Sequence, residues 1–213
     1  MTLPRAIADC RLYLCSRDRP DLAAFVAACI SGGVDIVQLR DKELEARPLL
    51  ERARQLRAVC TDHGIPFVLN DRPDLALEVE ADGVHVGQDD APVALARRIM
   101  GPAAIVGLST HSPSDLESAL HTEASYLSAG PVEATPTKPG RPGTGLDYLT
   151  LAAGQARVPV FVTGGVTPER VPALAAAGAR HFVVVRYLTE SDDPAAAARR
   201  LRAAIDQAVA SSL

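Results

Sequence analysis

Residues 36–71 read IVQLRDKELEARPLLERARQLRAVCTDHGIPFVLND, and two periodicities meet in this stretch. Ile36–Arg40 and Phe67–Asp71 are short aliphatic runs of strand character, while Leu49–Asp62 repeats leucine and alanine at helical spacing with arginines on the opposite face. Two strands joined through a helix predict a βαβ unit with parallel strands. The same alternation extends in both directions. Arg11–Cys15, Gly83–Gln88, Ile105–Thr110, Ser125–Gly130, Val158–Gly164 and His181–Arg186 are further strand candidates. Ala91–Met100, Pro113–His121, Thr167–Ala177 and Pro194–Ala210 read as amphipathic helices. Ser112-Pro113 and Thr167-Pro168-Glu169 each place a capping hydroxyl before a first-turn proline, and Ala177-Gly178 reads as a helix stop. Eight such repeats in 213 residues predict an α/β fold, a single (β/α)₈ TIM barrel of parallel strands. Residues 1–213 are expected to form one catalytic domain. An open doubly wound sheet is the alternative, but no Gly-x-Gly-x-x-Gly follows the first strand.

The composition, 47% hydrophobic, suits a large core, and the net charge of −4 argues against bulk binding to nucleic acid or anionic membranes. Aromatic residues at 4%, with no Trp, weaken a base-stacking role further. Cys10, Cys15, Cys29 and Cys60 have neither a CxxC pair nor zinc spacing, so they are expected to be buried thiols of a cytoplasmic protein. No signal peptide or membrane span is expected. Of the 22 basic residues, 20 are Arg, and the only lysines are Lys42 and Lys138. Where Arg serves as the general surface cation, a lysine marks a place for a compact point charge.

In a parallel barrel, sites form at the C-terminal strand ends, and the polar residues that need explaining cluster there. Gln38, Arg40 and Lys42 share one face of the second strand if it continues that far. Solvated charges at a frayed strand end are the bland alternative. Asp71 and Asp90 end adjacent strands and can reach one hard cation; two carboxylates suit Mg²⁺ better than Zn²⁺. Asp89 or Asp90 could instead cap the helix near Pro92. Thr135, Thr137 and Lys138, in the long loop Pro136–Gly145 and its approach, can ligate a phosphate. Gly164 and Gly165 offer backbone N–H groups leading into a helix, a setting that favours phosphate. Arg186 at the end of the eighth strand adds a cation. Together these residues imply a ligand with two phosphates or a pyrophosphate.

The motifs Gln38-x-Arg40-x-Lys42, Asn70-Asp71-Arg72, Gly83-x-His85-x-Gly87-Gln88-x-Asp90, Gly107-x-Ser109-x-His111, Thr135-x-Thr137-Lys138 and Gly164-Gly165 resemble those of thiamine-phosphate synthases, in the same order. The resemblance implies a transferase that uses Mg²⁺ on Asp71 and Asp90. It implies that Arg40, Lys42, Asn70 and Lys138 neutralise the pyrophosphate of a hydroxymethylpyrimidine, and that Gln38 and Ser109 orient its ring. A pyrimidine-methyl carbocation would be captured by the thiazole nitrogen. Thr135, Thr137, Gly164 and Gly165 would hold the thiazole phosphate. Structural or orienting roles are expected for His85 and His111. The chain departs from the family after the eighth strand, where Val185-Arg186-Tyr187-Leu188 replaces a small Ser-Ala-Ile segment. Arg186 is expected to replace the serine at the thiazole phosphate; the alternative is a rim arginine paired with a loop carboxylate. A thiazole tautomerase shares the segment around His111 but needs no pyrophosphate cage. A non-catalytic sensor would have lost some of the cage residues. The implied partners are phosphorylated small molecules; the sequence does not set the oligomeric state.

Overall fold

The computed structural model describes residues 6–134 and 142–211. A 3₁₀ turn at Ile7–Asp9 precedes β1 (Leu12–Ser16), α1 (Leu22–Ser31), β2 (Ile36–Leu39) and α2 (Ala46–His63). Then follow β3 (Phe67–Asn70), α3 (Pro73–Glu78), β4 (Gly83–Val86) and α4 (Val93–Met100). β5 (Ile105–Thr110), α5 (Pro113–Ala119), β6 (Tyr126–Ala129) and α6 (Gly145–Gln155) come next. The chain ends in β7 (Val160–Val162), α7 (Val171–Ala176), β8 (His181–Val184), α8 (Arg186–Thr189) and α9 (Pro194–Ala210). The strands pair in chain order, all parallel, and β8 returns to β1 to close the expected barrel.

The period-two alternation of each strand sorts the core into two layers. Leu12, Leu14, Val37 and Leu39 face outward and pack beneath the helices. Tyr13, Ile36, Val68, Tyr126 and Phe161 fill the barrel interior. Phe161 lies edge-on to Tyr13 and Tyr126, with ring centroids 5.4 and 5.1 Å away, the arrangement that aromatic quadrupoles favour. At the bottom of the barrel, buried Asp35 accepts the backbone N–H groups of Arg11 and Leu12 and a guanidinium N–H of Arg202 at 2.7 Å, tying the start of β1 to α9. All four cysteines are buried and none is in a disulfide; burial pushes the Cys29 and Cys60 thiols up to about 12, which keeps them protonated. Among the described residues no helix is long and apolar enough to cross a membrane.

Local signals fared unevenly. Ser112 caps α5 as expected, its Oγ accepting the Asp115 N–H at 3.1 Å, and Gly178 (φ 100°) follows the end of α7. Thr167 does not cap α7 with its hydroxyl, because that helix begins only at Val171. Its carbonyl instead accepts the N–H groups of Arg170 and Val171, and Pro172 occupies the first turn. β2 stops at Leu39, so Arg40 and Lys42 lie on the following loop; the Arg40 N–H still donates to the Ser16 carbonyl at 2.8 Å, extending the ladder by one bond. β8 stops at Val184 rather than Arg186, because the chain turns at once into α8.

Candidate active site

A cavity of about 570 Å³ opens at the C-terminal ends of the strands. Gln38, Arg40, Lys42, Asn70, Asp71, Asp90, Ser109, Gly164, Gly165 and Arg186 all line it, so residues far apart in sequence converge on one space. Thr135, Thr137 and Lys138 lie outside the described residues.

The acidic corner is set by backbone geometry. Asp71 follows β3 in the left-handed region (φ 62°), which a short carboxylate side chain tolerates better than most, and its N–H donates to the His85 carbonyl at 2.8 Å. Asp90 sits in the turn after β4, where its Oδ2 accepts the Gly87 N–H at 2.8 Å. A Cβ on Gly87 would lie 2.8 Å from that oxygen, so a side chain there would push the Asp90 carboxylate aside. Neither Asp89 nor Asp90 caps α4, whose N-cap is Pro92 with no side-chain cap. Asp71 and Asp90 hydrogen-bond to each other, and Lys42 Nζ lies 2.7 Å from Asp71 Oδ2. Burial and the neighbouring Asp90 push the Asp71 carboxyl up, against the opposing pull of Lys42. Burial raises Asp90 as well, but hydrogen bonds from Asp71 and Gly87 and the charge of Lys42 hold it below the usual range. The two carboxyls are thus coupled, one held up and the other held down, as like charges in contact are. A cation placed between them would relieve that repulsion. Among the described residues no group of three or more His, Cys, Asp or Glu side chains could hold a metal, so substrate or water oxygens would complete the shell.

Two arginines and a glycine turn can meet anions, Arg40 beside the acidic corner after β2, and Arg186 and Gly164-Gly165 on the far wall after β8 and β7. Among the described residues neither Arg40 nor Arg186 forms an ion pair, and both line the cavity. Gly164 and Gly165 are both left-handed (φ 91° and 76°), and a Cβ on Gly164 would come within 2.6 Å of Pro131 Cβ. Glu133, paired with Arg170, covers Gly165 from the side. The helix expected to start behind the glycines is too distant to lend them its dipole, since α7 opens at Val171. The short α8 instead delivers Arg186 to this rim directly after β8.

The floor of the cavity carries residues that sequence reasoning missed. Tyr13 and Tyr126 point inward and join Gln38, His85 and Ser109 in one hydrogen-bonded array. Their only sequence signal is an aromatic residue on the inward phase of a strand. His111 is held at the edge, its Nδ1 against the Gly130 carbonyl and its backbone N–H donating to Asp115 Oδ2 at 2.8 Å.

The family model described as thiamine monophosphate synthase matches residues 12–188, the whole span from β1 into α8. The chain is 46% identical over 207 residues to a thiamine-phosphate synthase of Thermobifida fusca (strain YX), with 94% of each chain covered. It is 44% identical over 216 residues to that of Mycobacterium tuberculosis (strain ATCC 25177 / H37Ra), covering 95% of this chain and 97% of the relative. Among solved structures, a thiamine phosphate pyrophosphorylase from Pyrococcus furiosus aligns with a TM-score of 0.86 at 27% identity, covering 95% of this chain and 98% of that one. Barrel, cavity and sequence therefore agree, and the chain belongs to the thiamine monophosphate synthase family of transferases.

Proposed function

We propose that this chain, acting as one catalytic domain over residues 1–213, condenses 4-amino-2-methyl-5-hydroxymethylpyrimidine pyrophosphate with thiazole phosphate to give thiamine phosphate and pyrophosphate in thiamine biosynthesis. The observation that carries the reading is the Asp71–Asp90 pair with Lys42 upon it, in a cavity whose far wall presents Arg186 and the Gly164-Gly165 turn. An all-oxygen carboxylate pair fits Mg²⁺, which, held by Asp71 and Asp90, supplies positive charge to the pyrophosphate. Arg40, Lys42, Asn70 and Lys138 bind the same group, so that charge building on it as the C–O bond breaks meets fixed cations and donors. Gln38 and Ser109 orient the pyrimidine ring, and its methylene forms the new bond to the thiazole nitrogen. Thr135, Thr137, Gly164, Gly165 and Arg186 hold the thiazole phosphate. No side-chain nucleophile takes part; the work is electrostatic and positional. His111, with Nδ1 committed to a carbonyl, has an orienting role. Phosphorylated small molecules are the partners, and four buried cysteines outside any disulfide fit a cytoplasmic location.

The test is pyrophosphate release with both substrates and Mg²⁺ present. Release is expected only when all three are supplied; turnover of thiazole phosphate alone would favour a tautomerase instead. Lys42→Arg is expected to lower kcat by about tenfold or more, since a planar guanidinium cannot place its charge where Nζ lies. Steady-state kinetics under saturating Mg²⁺ measures this. Arg186→Ala is expected to raise the KM for thiazole phosphate roughly ten- to a hundredfold, the loss of one charge-assisted hydrogen bond, and to leave that for pyrimidine pyrophosphate unchanged. Equal small changes for both substrates would return Arg186 to the rim.

A further inference from the structure

A continuous file of hydrogen bonds crosses the barrel beneath the cavity. Gln38 Nε2 donates to Tyr13 Oη at 2.9 Å, and the Tyr13 and Tyr126 hydroxyls are 2.9 Å apart. Tyr126 Oη lies 2.8 Å from His85 Nδ1, and His85 Nε2 lies 2.8 Å from Ser109 Oγ. The five side chains belong to residues between 0% and 8% exposed, so a bond left unmade there carries the full cost of desolvation. Gly107 on β5 makes the passage: a Cβ there would stand 2.1 Å from Tyr126 Cζ and 2.5 Å from His85 Nδ1.

The file has a direction, because each phenol carries one proton. Tyr13 Oη receives an N–H from Gln38, whose Oε1 accepts the Cys15 thiol at 3.3 Å. The single Tyr13 proton is therefore left for Tyr126, and the Tyr126 proton is left for His85 Nδ1. Burial holds both phenols well above their usual range, so neither gives up its proton. A ring nitrogen that accepts must be bare. The His85 proton then sits on Nε2 and points at Ser109 Oγ, which leaves the serine hydroxyl proton for the cavity.

We propose that Tyr13, Tyr126 and His85 are positioning residues that hold His85 as its Nε2–H tautomer and commit Ser109 to donating a hydrogen bond to the bound substrate. On the functional reading above, its partner is an unprotonated acceptor on the pyrimidine ring. A ring protonated at that atom is rejected, since two protons would then face each other. Selection thus extends from a substrate contact, through His85, to a tyrosine pair on the cavity floor.

The tautomer is read by ¹⁵N–¹H correlation spectra of the ligand-free full chain labelled at histidine, with His85 assigned by its loss in His85→Gln. The wild-type His85 is expected to carry its proton on Nε2; a proton on Nδ1 would overturn the proposal. Tyr13→Phe removes the incoming donor without touching His85. It is expected to give a mixture of both tautomers and to raise the KM for pyrimidine pyrophosphate several-fold, with that for thiazole phosphate unchanged. Tyr126→Phe is expected to do the same by about tenfold. Unaltered tautomer and KM values in Tyr13→Phe would reduce the tyrosines to packing, whatever happens to the melting temperature. The spectra need no substrate, so a wrong substrate assignment would show as absent pyrophosphate release beside an intact Nε2–H signal.

Discussion

Asp71→Asn and Asp90→Asn are each expected to lower turnover by about a hundredfold or more while the barrel stays folded. Losing one well-placed electrostatic partner of a developing charge costs on the order of 10²–10³ in rate, and a neutral amide cannot replace a carboxylate toward a divalent cation. Folding should survive because asparagine also tolerates the left-handed conformation (φ 62°) that Asp71 adopts. An amide oxygen at position 90 can likewise keep the Gly87 N–H that Asp90 accepts. The measurements are kcat across a Mg²⁺ titration and a thermal melt. Full activity of Asp90→Asn would leave that residue as the clasp of the Gly87 turn and remove it from the metal.

The second large effect falls on stability. Gly107→Ala is expected to destabilise the barrel by about 3 kcal/mol or more, the upper end for overpacking a filled core. Its methyl would meet a rigid ring carbon at 2.1 Å, the Tyr126 hydroxyl at 2.4 Å and His85 Nδ1 at 2.5 Å, none of them the end of a flexible chain. For a chain of this size that is roughly 6–12 °C in Tm. Gly154→Ala is the control. Gly154 lies in α6, and a methyl added there would meet nothing within 4 Å, so alanine is expected to stabilise by about 0.5–1 kcal/mol. Denaturant melts of the two variants should move in opposite directions.

Part of this molecule is legible residue by residue. Ser112 caps α5 and α9 spans Pro194–Ala210 because those signals are local: a hydroxyl three residues from an N–H, and a long amphipathic repeat. α1, by contrast, is LAAFVAACIS, apolar almost all round, and α3 and α8 are too short to show a period. The residue at which each strand stops was also obscure. β2 and β8 end one and two residues before their expected limits: β2 gives way to a loop at Arg40, and β8 turns directly into α8.

The chain's own order of residues determined the number of βα units, the parallel sheet, the inward phase of Gln38 and the set of charges at the strand ends. Those follow from period and spacing, which are properties of neighbours in sequence. Only the closed barrel decided that Asp71 and Asp90 meet beside Lys42, and that the Gly165 rim receives Arg186 from α8 rather than a dipole from α7. It alone placed Tyr13, from the first strand, against Tyr126, from the sixth. Such pairings depend on which side chains meet across the closed barrel, and no local pattern carries that distance.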